Sequence, residues 1–319
     1  MEQLTKLTTF NSFANMLEAL PNDEACRKYL EQIRWNGTPT CAHCGTVDSE
    51  AYRLKTKGVF KGMYKCKSCQ QRFTVTVKTM FEGSHLPLRK WFIAIYIFSS
   101  HKKGISSHQL AKDLGITQKS AWFMLGRIRE AFRVKSMDMQ MTGLIQADET
   151  FVGGKNKNRH EDKKVHEAQG RSTKDKTPVF GMVQNGDKVF TMVVPDTKAK
   201  TLKPIIENMV STGSIVVTDE WMGYSGLNKT HSHVVMNHKA KEYVRGGFHT
   251  NGIENFWSHL KRGLYGVYHH ASPEHLHRYC DEFSFRYNAR KISDSERFDF
   301  SLRNTENFRL RYKDLIAKG

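Results

Sequence analysis

The sequence predicts a multidomain α+β protein with a cysteine-bearing β module, a helical module and an α/β domain. Three observations lead to this fold class: two cysteine pairs near the N-terminus, three helical patterns interrupted at Gly115, and alternating strands and helices from Leu144 onward. A chain of 319 residues corresponds to two or three domains at the usual ~100–200 residues per domain. We expect domains at 1–82, 85–133 and 140–290, followed by a C-terminal tail at 291–319.

Composition indicates a folded protein that binds polyanions. Hydrophobic residues make up 39% of the chain and aromatic residues 11%, which argues against global disorder. Lys and Arg number 50 against 32 Asp and Glu, and a net charge of +18 is typical of nucleic-acid-binding proteins. The strongest apolar stretch, 91–98, is far shorter than the ~20 residues of a membrane span. We therefore expect an intracellular protein without a membrane anchor.

Four cysteines form two pairs with 21 residues between them: Cys41 and Cys44, then Cys66 and Cys69. Two thiolates at this spacing converge on one ion from a tight turn, and four complete the tetrahedral shell of a structural zinc. Strand-like segments at 51–54, 58–65 and 72–77 surround the second pair. The pattern predicts a zinc ribbon in domain 1–82. The alternative is four unligated cysteines at this spacing by chance.

Helical patterns precede and follow this ribbon. Segments 12–20 and 22–35 precede it, and segments 88–101, 106–114 and 117–132 follow it. Three helices with a short glycine-containing turn predict a helix-turn-helix unit, whose second helix enters the major groove of DNA. We expect Lys119, Arg127 and Arg129 to face outward, and Lys119 and Arg127 to bind DNA. The alternative is an ordinary helical hairpin between two domains.

From Leu144 onward the pattern is that of an α/β domain. Strands are expected at 144–148, 178–184, 188–194, 214–219 and 234–236, and helices at 201–210 and 251–263. The second and third strands are joined by Asn185-Gly186, which predicts a two-residue type I′ hairpin turn. Pro204 requires that its helix begin near it, because proline is tolerated in a first helical turn. The order β-β-β-α-β-β-α is compatible with a ribonuclease H-like sheet, although it also fits other α/β folds.

Three acids lie where elements of this domain begin or end. Asp148 ends the first predicted strand, Asp219 ends the fourth, and Glu254 lies early in the last helix. Carboxylates are the ligands that Mg²⁺ prefers, and two ions ~3.5–4 Å apart can clamp a phosphodiester. Each acid alone is more typical of a solvated surface group. Lys261, two turns beyond Glu254 on the same helix face, is a candidate for binding a DNA phosphate or an ordinary surface lysine.

Four sequence blocks resemble bacterial insertion-sequence DDE transposases related to the Merlin superfamily. They are His249-Thr-Asn-Gly-Ile-Glu-Asn-Phe-Trp-Ser-His-Leu-Lys-Arg-Gly-Leu-Tyr-Gly266, Asp148-Glu-Thr-Phe-Val-Gly-Gly-Lys155, Val217-Thr-Asp-Glu-Trp-Met-Gly-Tyr224 and Phe285-Arg-Tyr-Asn288. The segment from Pro21 to the first cysteine pair resembles the N-terminal zinc-ribbon module of the same group. The resemblance therefore extends over most of the chain.

The resemblance implies a ribonuclease H-like catalytic domain that uses Asp148, Asp219 and Glu254 as catalytic residues and as ligands of Mg²⁺ or Mn²⁺. The last two acids have 34 residues between them, and Lys261 matches the basic residue that follows the third acid in many such enzymes. Further candidates are the helix-start residues His249 and Asn251 and the acids that adjoin the two aspartates, Glu149 and Glu220.

The implied function is a DNA transposase that cuts transposon ends and joins 3′-hydroxyls to target DNA by two-metal phosphoryl transfer. Its implied partners are double-stranded DNA and further copies of the chain in a homo-oligomer. The expected location is the cytoplasm, on the nucleoid when the protein binds DNA. The basic segment 155–176 is interpreted as a loop over the DNA path, or as a solvated loop without contacts. Two alternative functions are a zinc-ribbon and helix-turn-helix DNA-binding regulator with a catalytically inactive α/β domain, and a nuclease-like scaffold protein.

Overall fold

The computed structural model describes residues 10–47, 51–133, 140–154, 160–165, 174–237, 240 and 244–317. Most of the basic segment 155–176 lies outside the described residues. The chain forms two compact units. The N-terminal unit comprises Met1–Phe132 and Lys291–Lys318, and the α/β unit spans Arg133–Arg290. Within the described residues, no helix is both long and apolar enough to cross a membrane.

Helices and strands are numbered in chain order. The helices are α1 (Phe13–Ala19), α2 (Asp23–Trp35), α3 (Leu88–Ser100), α4 (Ser107–Leu114), α5 (Gln118–Ala131), α6 (Ala199–Met209), α7 (Asn251–Gly263), α8 (Pro273–Asn288), α9 (Asp294–Arg303) and α10 (Tyr312–Ile316). The strands are β1 (Tyr52–Thr56), β2 (Val59–Lys65), β3 (Arg72–Phe73), β4 (Leu144–Val152), β5 (Thr177–Gln184), β6 (Val189–Val193), β7 (Ile215–Thr218) and β8 (Ser232–Val235).

The ribbon is an antiparallel sheet in the order β1-β2-β3. Its inner face is aromatic: Tyr64 stacks on Phe73 at 5.5 Å between ring centroids, and Trp35 at the end of α2 meets both rings edge-on. This contact joins α2 to the ribbon. The expectation of a strand over 72–77 is wrong beyond Phe73, because the backbone turns there, with the Val77 amide donating to the Thr74 carbonyl.

The helices that follow the ribbon form as expected, and their ends are set by local residues. Ser106 caps α4 by accepting a hydrogen bond from the Gln109 amide, and Thr117 caps α5 in the same way from the Ser120 amide. Gly115 ends α4 at a φ of 57°, a left-handed conformation that glycine adopts without strain. The elements of the expected helix-turn-helix are therefore present, and their role in DNA binding stays a prediction.

Arg127 and Arg129 do not face outward as expected. Both are buried, and the Arg127 guanidinium donates to the carbonyls of Leu310, Met80 and Glu82 at 2.8, 2.8 and 3.0 Å. The expectation that Arg127 binds DNA is therefore corrected: it ties α5 to distant backbone. These carbonyls lie about 45 residues before and about 180 residues after Arg127 in the chain, so the periodicity of α5 gave no sign of the contact. Lys119 is exposed, with Nζ 4.9 Å from the Tyr312 ring centroid.

Residues 291–319 were expected to form a tail, but as far as residue 317 they contribute to the core of the N-terminal unit. Phe298 of α9 is fully buried, and its ring meets the Phe92 ring edge-on at 5.6 Å between centroids. A capping box between Ser293 and Glu296 begins α9. This short helix carries few apolar residues, so its hydrophobic pattern is weak and its burial depends on α2 and α3.

The α/β unit is built on a five-stranded sheet in the order β6-β5-β4-β7-β8. β5 runs antiparallel to both of its neighbours, whereas β4, β7 and β8 are parallel to one another. This order and these directions are those of a ribonuclease H-like fold, as expected. One apolar cluster joins the sheet to α6, and a second joins the opposite face to α7 and α8.

Two local expectations in this unit need correction. The β5–β6 hairpin is present, but only Gly186 of the turn pair has a positive φ, 72°, whereas a type I′ turn requires it at both residues. The Gln184 amide donates to the Lys188 carbonyl, which leaves three residues in the loop. Pro204 lies inside α6 and not in its first turn. The carbonyl that it deprives of a hydrogen-bond donor is that of Lys200, an exposed residue of the first turn.

Candidate active site and zinc centre

The four paired cysteines converge in the ribbon. Their sulfur atoms all lie within 4.8 Å of one another, with Sγ separations of 3.6 Å between Cys41 and Cys69 and 3.7 Å between Cys44 and Cys66. Zn–S bonds of about 2.3 Å in a regular tetrahedron place sulfurs about 3.8 Å apart. The sulfur set therefore fits one Zn²⁺.

Both cysteine pairs are shaped by the same backbone turn. The Gly45 amide donates to the Cys41 carbonyl at 2.9 Å, and the Gln70 amide donates to the Cys66 carbonyl at 3.1 Å. Gly45 and Gln70 have positive φ values of 76° and 59°. Glycine thus supplies the left-handed residue of the first knuckle, while in the second knuckle a glutamine adopts the same conformation.

Strand register brings Asp148 and Asp219 together in the α/β unit. β7 pairs in parallel with the first residues of β4 and ends at Thr218, so Asp219 leaves the sheet beside Asp148. Asp148 does not end its strand as expected, because β4 continues to Val152 through its pairing with β5. The carboxylates of Asp148, Glu149 and Asp219 lie within 4.8 Å of one another.

Hydrogen bonds hold two of these carboxylates in place. Glu149 is buried on the α6 face of β4, where its Oε2 accepts a hydrogen bond from the Tyr224 hydroxyl at 2.7 Å. Burial, together with the negative charges of Glu149 and Asp148, raises the pKa of Tyr224 well above its ordinary value, so this hydroxyl stays protonated. Asp219 Oδ1 accepts from the Trp221 amide at 3.0 Å.

The opposite face of β4 meets α7, which begins at Asn251 as expected. Gln146 anchors the helix start: its Oε1 accepts from the Ile253 amide at 3.1 Å, and its Nε2 lies 3.2 Å from His249 Nδ1. Further along α7, the Trp257 indole donates to Asp148 Oδ2 at 3.0 Å. Lys261 is half-buried, and burial lowers its pKa, an effect that the Asp148 charge opposes.

Glu254 is the expected site residue that the structure leaves outside the carboxylate cluster. Its side chain is exposed, and its Oε1 accepts a hydrogen bond from the Thr250 hydroxyl at 2.8 Å. Glu149 has the third place within the 4.8 Å group. Sequence reasoning noted Glu149 only as a neighbour of Asp148, and it missed Tyr224 and Trp257 as partners of these acids. The signal for both aromatic residues was their presence within the quoted sequence blocks.

The carboxylate cluster fits hard divalent cations. Three negative charges within 4.8 Å repel one another strongly in a partly buried site, and a cation relieves that repulsion. Oxygen donors of this kind are those preferred by Mg²⁺ and Mn²⁺. Within the described residues, the cluster and the four cysteines are the groups of acidic, histidine or cysteine side chains close enough to share an ion.

Two protein-family models match the chain, one on each site. The model described as the ISXO2-like transposase domain matches residues 140–288, a range that includes the carboxylate cluster and Glu254. The model described as the transposase zinc-ribbon domain matches residues 21–72, a range that includes the four paired cysteines.

Individual proteins are also similar to the chain. An uncharacterized protein in transposable element ISH50 of Halobacterium salinarum is 27% identical over 283 residues, which cover 85% of this chain and 92% of that protein. An uncharacterized transposase-like protein of Haemophilus influenzae is 38% identical over 106 residues, covering 33% of this chain and 85% of that protein. A solved Mos1 transposase paired-end complex with left transposon end is 11% identical and covers 64% of this chain and 75% of that chain. Its TM-score with this chain is 0.29.

Family models and relatives agree with the two sites in the structure. The zinc-ribbon match coincides with the converging cysteines, and the transposase-domain match coincides with the ribonuclease H-like sheet that holds the carboxylates. Such a domain belongs to enzymes of the polynucleotidyl transferase type. The chain therefore belongs to the family of insertion-element transposases that have a transposase zinc ribbon and an ISXO2-like DDE transposase domain.

Proposed function

We propose that this transposase binds double-stranded DNA at the ends of its element, cuts there, and joins the 3′-hydroxyls to target DNA by metal-dependent phosphoryl transfer. One observation carries the proposal: Asp148, Glu149 and Asp219 converge within 4.8 Å at the point where β7 leaves the sheet. A regulator without catalytic activity has no need of such a costly concentration of negative charge. DNA binding of this kind would place the protein on the nucleoid.

Divalent cations held by Asp148 and Asp219, with Glu149 or Glu254 as a further ligand, would supply charge neutralisation and activation of the attacking oxygen. The chain itself positions these ligands. The Trp221 amide holds one oxygen of Asp219, and the Tyr224 hydroxyl holds one oxygen of Glu149. Positioned ligands need no reorganisation when charge develops on the phosphodiester, which is the main source of electrostatic catalysis.

Glu254 is proposed to complete the site when DNA and metal bind. It lies three residues before Trp257, whose indole contacts Asp148, so both side chains start from the same side of α7. In the structure the Glu254 carboxylate is held by the Thr250 hydroxyl instead. Loss of that single hydrogen bond would free the Glu254 carboxylate to reach a cation.

Glu149 and Glu254 are expected to differ in the step at which they act. Glu149→Gln should weaken Mn²⁺ binding in the absence of DNA, because Glu149 is already part of the cluster. Glu254→Gln should leave that binding unchanged but lower cleavage about 10²–10³-fold. Electron paramagnetic resonance of free Mn²⁺ and cleavage of a labelled DNA end would measure the two effects. Equal behaviour of the two variants in both assays would contradict this division of roles.

Lys261 and Lys119 are proposed to contact DNA phosphates. Lys261 lies near Asp148, where a half-buried ammonium would meet the phosphate next to the scissile bond. Lys119 is exposed in the first turn of α5, the helix expected to enter the major groove. Each would act mainly as a point charge.

Binding to duplex DNA should weaken steeply with salt, because each neutralised phosphate releases counterions. Log affinity is expected to fall with log salt at a slope of about −0.9 for each phosphate contact. Lys119→Ala should make that slope shallower by about 0.9, the share of one phosphate contact, whatever the DNA sequence. Gel-shift titrations from low to physiological salt would measure both slopes. A slope near zero for the parent protein would contradict the proposed electrostatic binding.

The reaction itself is tested with the purified zinc-loaded protein and a labelled duplex that carries the terminal inverted repeat of the element. We expect Mg²⁺-dependent release of a 3′-hydroxyl end and its joining to a second duplex, and no reaction in the presence of a chelator of Mg²⁺. Light scattering on the same complex should reveal more than one chain per DNA end pair, because a homo-oligomer is proposed. Tight, specific binding with no strand cleavage in Mg²⁺ or Mn²⁺ would favour the regulator instead.

A further inference from the structure

We infer that Trp257 is a positioning residue that orients the Asp148 carboxylate for metal binding, and that the absence of a side chain at Gly181 lets the indole do so. The inference rests on the proposed function, because it concerns the same cluster. It assigns a role to two residues of the α/β unit that bear no charge.

Trp257 reaches Asp148 from the buried side of α7. Its side chain is 5% exposed, and its Nε1 donates to Asp148 Oδ2 at 3.0 Å. A carboxylate with one oxygen held in this way cannot rotate freely about its terminal bond, so its remaining lone pairs keep fixed directions. Asp148 is the residue that shares its strand with Glu149 and borders Asp219, so its orientation decides where the three acids can share a cation.

Gly181 is the register partner of Asp148 in the antiparallel pair of β4 and β5. Paired residues present their side-chain positions on the same face of the sheet, which here is the face covered by α7. A Cβ atom at Gly181 would lie 2.5 Å from Cη2 and 2.7 Å from Cζ2 of Trp257. The indole therefore rests directly on bare backbone of β5.

Position 181 requires glycine because the Trp257 ring occupies the space of a side chain there, and not because of the backbone conformation. Gly181 is absent from the glycines of the described chain that have positive φ, so its backbone conformation is open to other residues. Its neighbours Phe180 and Met182 pack on the α6 face, while Val179 and Val183 pack on the α7 face. The missing side chain thus interrupts the apolar surface under α7 at the point where the ring must pass to reach Asp148.

A hydrogen bond to a ligating carboxylate commonly changes metal affinity 10–100-fold when it is lost. Trp257→Phe keeps a buried aromatic ring but removes the N–H donor, and we expect about this loss of Mn²⁺ affinity in zinc-loaded, DNA-free full-length protein, measured by electron paramagnetic resonance. Trp91→Phe is the matched control. Trp91 is equally buried in the N-terminal unit, and its indole donates to the Ser84 hydroxyl at 2.9 Å. This control should bind Mn²⁺ as the parent does.

Gly181→Ala tests the same inference without changing Trp257. The added methyl group should push the indole away from Asp148 and cause the same loss of Mn²⁺ affinity. The two closest contacts of this methyl group, Cη2 and Cζ2 of Trp257, are absent from Phe, and only the flexible Ile253 Cδ1 at 3.1 Å would remain. Trp257→Phe/Gly181→Ala should therefore bind Mn²⁺ no more weakly than Trp257→Phe alone. Circular dichroism and the melting temperature would show that each variant is folded.

Two results would overturn the inference while leaving the proposed metal site in place. One is a folded Trp257→Phe protein with parental Mn²⁺ affinity, which would make Trp257 a packing residue only. The other is a loss in Gly181→Ala that adds fully to that of Trp257→Phe, which would show that the two residues act separately. If Asp148→Asn binds Mn²⁺ as the parent does, or if the parent binds none, the proposed metal site itself is wrong and the inference fails with it. That result differs from the first two, in which the parent does bind the ion at Asp148.

Discussion

Asp148→Asn and Asp219→Asn are each expected to abolish strand cleavage and strand joining, with a loss of at least about 10²–10³-fold. Each substitution removes a charged ligand from a cluster whose members lie within 4.8 Å. Asparagine keeps the size of the side chain, and at position 148 its oxygen can still accept from Trp257. Binding to the element end should remain, because it depends on cationic residues. Cleavage of a labelled end and a gel shift on the same DNA would separate the two effects.

The same substitutions should stabilise the metal-free protein. Removing one of three close negative charges relieves their repulsion, and each kcal/mol so gained corresponds to a rise of about 2–4 °C in melting temperature for a unit of this size. Glu207→Gln is the matched control, since Glu207 is an exposed acid on α6 in the same unit. It should cleave and melt as the parent does. An Asp148→Asn protein that cleaves at the parental rate would remove this residue from the catalytic site.

Cys66→Ser is expected to have the second large effect, the loss of zinc and of the folded ribbon. Apparent zinc affinities of about 10–16 kcal/mol in small zinc-binding modules are also their folding free energy, so such modules unfold without the metal. The parent should hold one zinc per chain and the variant close to none by elemental analysis. Element-end binding should be lost along with it. Hydrogen exchange should accelerate over 41–73 but not over 144–263, which belongs to the other compact unit.

Cys26→Ala provides the control for this experiment. Cys26 is a fully buried residue of α2 in the same unit, and its sulfur is not part of the four-cysteine group. This variant should keep its zinc and its slow exchange over 41–73. If Cys66→Ser retained one zinc per chain and bound the element end as the parent does, the assignment of the four cysteines to a structural zinc would be wrong.

Local features of the fold were predictable because adjacent residues produce them. The cysteine pairs form their knuckles through hydrogen bonds that span four residues, and Asn22 and Thr117 cap helices through amides three residues away. α7 begins and ends within the expected 251–263 because its apolar stripe has a clear helical period. The order of strands and helices along the chain was compatible with a ribonuclease H-like sheet because several strands, such as Thr177–Gln184 and Ile215–Thr218, are visible as apolar runs.

Long-range contacts account for two of the expectations that failed, those for Arg127 and for segment 291–319. Arg127 looked like a surface cation on its own helix, but its guanidinium binds the carbonyls of Met80, Glu82 and Leu310, which come from other parts of the chain. The segment 291–319 looked like a tail, because the aromatic neighbours of Phe298 come from other parts of the chain. In both cases the deciding partners lie at least 45 residues away in sequence, beyond the range of helical periodicity.

The sequence by itself identified the four paired cysteines as zinc ligands, the helices on either side of the ribbon, and Asp148 and Asp219 as candidate catalytic residues, whereas the class of sheet came from the family resemblance. Tertiary structure alone decided that Glu149 and not Glu254 completes the metal-free cluster, and that Trp257 lies over Gly181 to hold Asp148. The physical reason is the range of the forces involved. Turns and caps are set by hydrogen bonds within a few residues, whereas the meeting of three carboxylates depends on the register between distant strands and on the rotation of a helix packed against them.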